Sequence, residues 1–344
     1  MKVLVRADAS SQIGIGHVMR CLTLARHLAA SGAEVAFACR ELPGHQLARI
    51  AEAGHEVFVL PAQGDEQVVL DALLPGPGSF DWIIVDHYGF DAAWEKAARR
   101  WARWIMAIDD LADRPHACDL LLDQNYTASV AAYRVLVPEA CQILAGPRYA
   151  LLGEAFRQAR APGADDSRRV LVSFGGFDQA GMTLKTLQAL DGIDAVQVQC
   201  IAGQATPDFA ALQALVARRQ GWELQAFVHD LPGRMANAAL FVGAGGGTTW
   251  ERAAMGLPSI CVSVADNQVG NAQALARDGM HLYLGSAQEV TLAGLRQAIV
   301  GLLSDAALRQ QFAARSQRLV DGLGVQRVES HFQRLLKDVQ HEQF

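Results

Sequence analysis

Short apolar runs recur along the whole chain, and nearly every one is followed by a stretch with helical spacing. No other feature leaves fewer folds open. KVLVRAD leads into a glycine loop and then HVMRCLTLARHLAASG, where Val18, Cys21, Leu22, Ala25 and Leu28 share one helical face before Gly32 stops the helix. EVAFACR, EVFVL, DWIIVDHY and WIMAIDD follow as further strands. Helices are expected from Pro43 to Gly54 and at DAAWEKAARR. Apolar strands alternating with helices imply a parallel sheet buried on both faces, so the fold class is α/β, doubly wound. Around 160–169 the composition shifts to RAPGADDSRR, which has no periodicity and reads as a linker. The alternation restarts at RVLVSFGG and runs through HLYLG, after which two more helices are expected.

The 344 residues suit two domains of about 150–170 residues each. The expected division is an N-terminal Rossmann-like domain at 1–160, a linker at 161–169, a C-terminal Rossmann-like domain at 170–325, and a helix at 326–344 returning to the first domain. Two such domains facing across a cleft would share one ligand at the carboxyl ends of their strands.

Bulk properties exclude several classes of function. A net charge of −6 argues against a general nucleic-acid binder. No run approaches the ~20 apolar residues of a membrane span, and MKVLV opens the chain as a strand with no leader pattern, so a cytoplasmic protein is expected. Cys21, Cys39, Cys118, Cys141, Cys200 and Cys261 form no CxxC pair, which favours buried free thiols in a reducing compartment. No cluster has zinc-ligand spacing and no DxD lies in a suitable loop, so neither a metal nor a cofactor is expected.

The sharpest local signal is GAGGGTTWE at 243–251. A strand runs into Gly243, Gly245, Gly246 and Gly247, whose backbone N–H groups can approach an anion closely. Thr248 or Thr249 would cap the helix that follows, and its positive dipole end would face the loop. The GK[ST] of a nucleoside-triphosphate loop is missing. A turn built only for close packing is the bland alternative. Glu251, in the first helical turn, suits the dipole and could equally accept hydrogen bonds from ribose hydroxyls. Asn267, Gln268 and Asn271 open the next helix and either cap it or read a sugar. SFGGFD offers a second turn, with Gly175 and Gly176 freeing the backbone and Asp178 available as a cap.

In the first half, GIGHVM imitates a dinucleotide fingerprint, but the glycines come too late after the strand and Met19 stands at the third small position. What the loop does is deliver His17, after Gly16, to a helix N-terminus, where the dipole disfavours imidazolium and leaves a neutral base. No acid neighbours His17 in sequence, so it is expected to act alone or merely to cap the helix. Arg6, Asp8 and Ser10 leave the first strand on the same edge. His87-Tyr88 and Asp109-Asp110 also end strands there.

RADASSQIGIGHVMRCLTLA, VDHY, IDDLADRPHACDLLLDQN, GPRYALL, SFGGFD and GAGGGTTWERAAMGLPSICVSVADNQ together resemble the GT-B superfamily. Within it they resemble the UDP-2,4-diacetamido-2,4,6-trideoxy-β-L-altropyranose hydrolases of pseudaminic acid biosynthesis. The resemblance implies a GT-B fold of two Rossmann-like domains and a metal-independent reaction. In it, water displaces UDP from the anomeric carbon with C–O cleavage and inversion. It makes His17 the general base, Glu251 the ribose ligand, and the backbone from Gly246 to Thr249 the diphosphate cradle. Tyr88 and Asn267 would lie near the sugar, with Arg148 as a further contact. Arg6, Asp8, Gly16, Gly175, Gly245 and Gln268 complete the implied substrate shell. Partners are limited to a UDP-sugar and water, on a monomer. A polar residue such as Ser is expected in that pattern where Gly245 or Gly246 stands. Two rival readings are a GT-B glycosyltransferase acting on an acceptor hydroxyl and a non-catalytic nucleotide-sugar sensor.

Overall fold

Among the described residues every strand pairs in parallel, so consecutive strands are joined by crossovers. The computed structural model describes residues 1–158 and 168–342. They form two units, Met1–Gly153 together with the chain from Leu323 onward, and Glu154–Gly322.

The first unit runs β1 (Lys2–Ala7), α1 (Gly16–Ala30), β2 (Glu34–Arg40), α2 (Leu47–Glu52), β3 (Glu56–Leu60), α3 (Glu66–Leu73), β4 (Phe80–Asp86), α4 (Ala92–Ala98), β5 (Ala102–Ile108), β6 (Leu120–Asp123), α5 (Val130–Arg134) and β7 (Gln142–Ala145). The second runs α6 (Glu154–Gln158), β8 (Arg169–Ser173), α7 (Met182–Leu190), β9 (Gln197–Ile201), α8 (Phe209–Ala217), β10 (Trp222–Gln225), α9 (Leu231–Ala236), β11 (Leu240–Ala244), α10 (Thr248–Met255), β12 (Ser259–Ser263), α11 (Val269–Arg277), β13 (Leu282–Ser286), α12 (Leu292–Ser304) and α13 (Ala306–Leu319). Helix α14 (Gly324–Glu342) rejoins the first unit.

The sheet orders are β3-β2-β1-β4-β5-β6-β7 and β10-β9-β8-β11-β12-β13. Both are GT-B-type Rossmann sheets. Each reverses direction beside its first strand, between β1 and β4 in one and between β8 and β11 in the other. Ligands of open α/β sheets bind at such points, outside the carboxyl ends of the strands. Alternating side chains fill both faces of the first sheet. Val3, Val5 and Ala7 pack with α1 and α14, while Leu4 joins the layer under α3 and α4. Trp82 anchors the former face, stacked on Trp104 at 5.6 Å and on Phe332 of α14 at 4.2 Å.

The structure departs from the expected division in two respects. The first unit ends at Gly153 and not at 160, because Phe156 of α6 packs with Leu171, Met235 and Phe241 of the second. Three helices, not two, follow β13: α12 and α13 are separated by Asp305 alone, whose carboxylate accepts the Leu308 N–H. Most of the linker expected at 161–169 lies outside the described residues. All six cysteines are buried and unbridged. Among the described residues no helix is long and apolar enough to cross a membrane.

Candidate active site

Strands β1 and β4 are neighbours in register, with Ala7 opposite Asp86, so the loop after β1 lies beside the end of β4. That loop is a tight turn. Ser10 Oγ accepts the N–H groups of Gln12 and Ile13, and Gly14 takes φ +79°, a region that favours glycine. Helix α1 then opens at the exposed Gly16, with His17 as its second residue and no side-chain cap.

His17 is 8% exposed, and its Nδ1 lies 2.5 Å from Oδ1 of Asp86. A carboxylate only accepts, so Nδ1 carries the hydrogen, and in the neutral ring the lone pair is on Nε2. His17 therefore does not stand alone, contrary to the sequence reading. Asp86 is also gripped by Arg20, whose Nε and Nη2 donate to its two oxygens at 2.6 Å each. Burial by itself would raise the Asp86 carboxyl. The Arg20 charge and the hydrogen bonds from Arg20 and His17 outweigh it and hold the group well below the usual carboxylate range. The Tyr88 ring meets His17 edge-on at 4.8 Å, and its hydroxyl donates to Asp110 at 3.2 Å. Arg20 reaches the same Asp110 at 3.6 Å.

Asp86 and Arg20 are the residues that sequence reasoning missed in this group, whereas Asp110 was among its strand-end candidates. The available signals were the position of Asp86 as the last residue of DWIIVD, at a strand's carboxyl end, and that of Arg20 one helical turn after His17.

Arg6 and Asp8 turn out differently. Each is 1% exposed, and they pair with each other at 2.7 Å. Arg6 also grips Glu66, which Arg40 holds from the other side, and the Arg40 N–H donates to Asp8. These pairs lock the ends of β1 and β2 to α3, and Asp8 also faces His87 at 3.5 Å. Arg148 projects from a short 3-10 turn over the ring of Tyr149, and no contact joins it to the His17 group.

In the second unit, β8 and β11 approach so closely that a Cβ on Gly243 would lie 2.0 Å from the Ser173 carbonyl oxygen. Gly175, in the loop after β8, has φ +97°. The Asp178 carboxylate caps α7 by accepting the Met182 and Thr183 N–H groups. Neither threonine caps α10. Gly247 stands at its N-cap with no side-chain hydrogen bond, Thr248 is the first helical residue, and Thr249 is buried, accepting from Arg252 at 2.8 Å. The first N–H groups of an α-helix have no acceptor within it, which leaves those of Gly247 and Thr248 for an external acceptor.

Gln268 is a brace. Its Oε1 accepts the N–H groups of Gly245 and Val264, tying the glycine loop to the end of β12. The Gly245 N–H is thereby already used, as is that of Thr249, which donates to the Gly246 carbonyl at 3.0 Å, so of the expected cradle the N–H groups of Gly246, Gly247 and Thr248 remain. Asn267 is exposed in the adjoining turn, whereas Asn271 is buried. Glu251 has one buried carboxylate oxygen without a hydrogen-bond donor, and burial pushes its carboxyl up to about 7 against a weaker pull from Arg252. Among the described residues, no three His, Cys, Asp or Glu side chains gather to hold a metal ion.

These geometries accompany clear similarities to known proteins. The glycosyltransferase family 28 C-terminal domain matches residues 178–327. A Campylobacter jejuni protein named UDP-2,4-diacetamido-2,4,6-trideoxy-beta-L-altropyranose hydrolase is 31% identical over 214 residues, 62% of this chain and 73% of that protein. The chain belongs to this hydrolase's family. A second relative is the spore coat polysaccharide biosynthesis protein SpsG of Bacillus subtilis, 28% identical over 59% of this chain and 61% of its own length. In fold, the family member resembles MurG of Acinetobacter baumannii, with a TM-score of 0.68 at 16% identity, covering 97% of this chain and 99% of that one. The fold is GT-B.

Proposed function

We propose that the protein is a nucleotide-sugar hydrolase that releases UDP from UDP-2,4-diacetamido-2,4,6-trideoxy-β-L-altropyranose. The observation that carries the reading is the 2.5 Å bond from His17 Nδ1 to Asp86, which leaves Nε2 as a base of fixed orientation. In the proposed step, Nε2 takes a proton from water as the water oxygen bonds to the anomeric carbon. The bond from that carbon to the diphosphate oxygen breaks, and UDP leaves with the electron pair. Attack opposite the leaving group inverts the anomeric centre. Asp86 steadies the imidazolium that forms, in the manner of a triad aspartate. The N–H groups opening α10 spread the charge on the departing diphosphate, so no strong general acid is required. Glu251 accepts from the ribose hydroxyls, which would satisfy its undonated oxygen. Tyr88, Arg148 and Asn267 belong to the sugar end of the same reading.

A transferase is the second reading, favoured by the family 28 domain match and the MurG-like fold. One assay separates the two. The purified protein is mixed with the UDP-sugar, without acceptor, and UDP release is followed by NMR. Turnover that vanishes in His17→Ala while UDP still binds is the expected result. Release only when an acceptor hydroxyl is added makes the protein a transferase, and binding without turnover rules out both enzymes.

A further inference from the structure

Among the described residues two arginines are buried in the second unit: Arg309 on α13, whose guanidinium donates to the Leu302 and Leu303 carbonyls, and Arg252, which lies beside the glycine loop and which neither the fold nor the proposed chemistry has used. Arg252 is 2% exposed on α10, and its guanidinium donates to the Ala244 carbonyl at 3.1 Å and to Thr249 Oγ1 at 2.8 Å. Those two residues bracket the glycine tract, so the guanidinium lies against the base of the loop. The Phe241 ring covers it at 4.8 Å.

Among the described residues no carboxylate lies within ion-pairing distance of it. A buried charge is ordinarily paired, because removing it from water without a counter-ion is expensive. The groups facing it do not balance it. The Cys261 thiol is pushed up by burial and stays neutral, and Glu251, next along the helix, is raised to about 7 and makes no ion pair with Arg252. Burial in turn lowers Arg252 itself, against the opposing effect of Cys261.

We infer that Arg252 is a positioning residue whose missing counter-ion is the diphosphate of the bound nucleotide. The inference rests on the proposed use of the glycine loop for UDP. The buried cation adds its field to the N–H groups of Gly246–Thr248 without touching the ligand. It thereby makes the loop selective for the more highly charged phosphate ester. Adjacent on one helix, an acid with an undonated oxygen and a base without a counter-ion are each completed by one end of the nucleotide, its ribose and its diphosphate.

Calorimetric titration of UDP, UMP and uridine against three variants tests this. Arg252→Gln keeps a donor toward Ala244 and Thr249 but removes the charge. Arg252→Met removes both, and Arg252→Lys keeps the charge. The Gln and Met variants are expected to bind UDP at least about tenfold more weakly (~1.4 kcal/mol), UMP less affected and uridine unchanged, while Lys stays near wild type. Without ligand, the Met variant is expected to melt no lower than wild type, since replacing an uncompensated buried charge by an apolar side chain is often neutral or stabilising. Should Met fail to fold, Gln against Lys carries the test. Unchanged UDP affinity in the Gln variant overturns the inference, as does an equal loss for uridine. Wild-type protein that does not bind UDP overturns the nucleotide reading beneath it.

Discussion

With Glu251 as the proposed ribose ligand, nucleotide affinity is expected to depend on pH, and the size of the effect follows from its surroundings. Burial lifts its carboxyl from the ordinary 4.5 to about 7, with one oxygen undonated. An acid raised in this way contributes stability that is complete below its ordinary value and lost as pH rises through 7. Ligand-free protein should therefore melt progressively lower across that range, and Glu251→Gln should not. Ribose hydroxyls donating to the carboxylate favour its ionised form, so UDP binding must expel the proton. If the bound carboxyl returns to its ordinary value, about 3% of Glu251 is ionised at pH 5.5 in the free protein and about 90% in the complex. Affinity is then roughly 30-fold weaker (~2 kcal/mol) at pH 5.5 than at pH 8.5. The terminal phosphate of UDP titrates nearby, so the informative quantity is the ratio of wild-type to Glu251→Gln affinities, measured calorimetrically from pH 5.5 to 8.5. A ratio that stays flat across this range would falsify the assignment of Glu251 to the ribose.

Four further variants have expected outcomes. Asp86→Asn should lower turnover about 10²-fold or more by freeing the His17 tautomer, with UDP affinity unchanged, and should melt lower because Arg20 loses its main counter-ion; steady-state kinetics and a thermal melt read both effects. Gly245→Ala should cost about 1–3 kcal/mol in denaturant unfolding, since its Cβ would sit 3.3 Å from both Cys261 Sγ and Gln268 Cβ and push the brace aside. Gly246→Ser, where the nearest atom is 3.8 Å away, should fold normally and still bind UDP. Phe332→Ala should remove about 3–5 kcal/mol from the first unit, because the ring is fully buried against Trp82, and calorimetry should show that transition alone moving down.

The doubly wound halves, the glycine loop and the arrival of His17 at a helix start were all legible in the residues, because each depends on local periodicity or turn chemistry. The partner of His17 was not. Asp86 lies 69 residues further on, and it reaches the histidine because β4, and not β2 alone, pairs with β1. Periodicity names strands but does not order them. Arg6 and Asp8 misled for a related reason: their position at a strand end suggested a ligand, but Glu66, 60 residues from Arg6, turns them inward. At Thr248 and Thr249 the helix begins one residue earlier than a threonine cap requires, a shift well within the ordinary uncertainty of helix boundaries. Short β6 and β7 and the helix α3 went unannounced, since four-residue strands and an eight-residue helix leave little pattern to read.

The return of α14 to the first sheet bears on how the chain is made. Val325, Val328 and Phe332 are core residues of a unit whose other parts are translated more than 160 residues earlier, with the whole second unit in between. On the ribosome, the layer holding Trp82 and α1 stays without its last apolar wall while the second unit is being synthesised. The half translated first is thus the half completed last. A nascent fragment covering 1–153 should bind hydrophobic dyes and aggregate, whereas 154–322 carries its core from its own sequence.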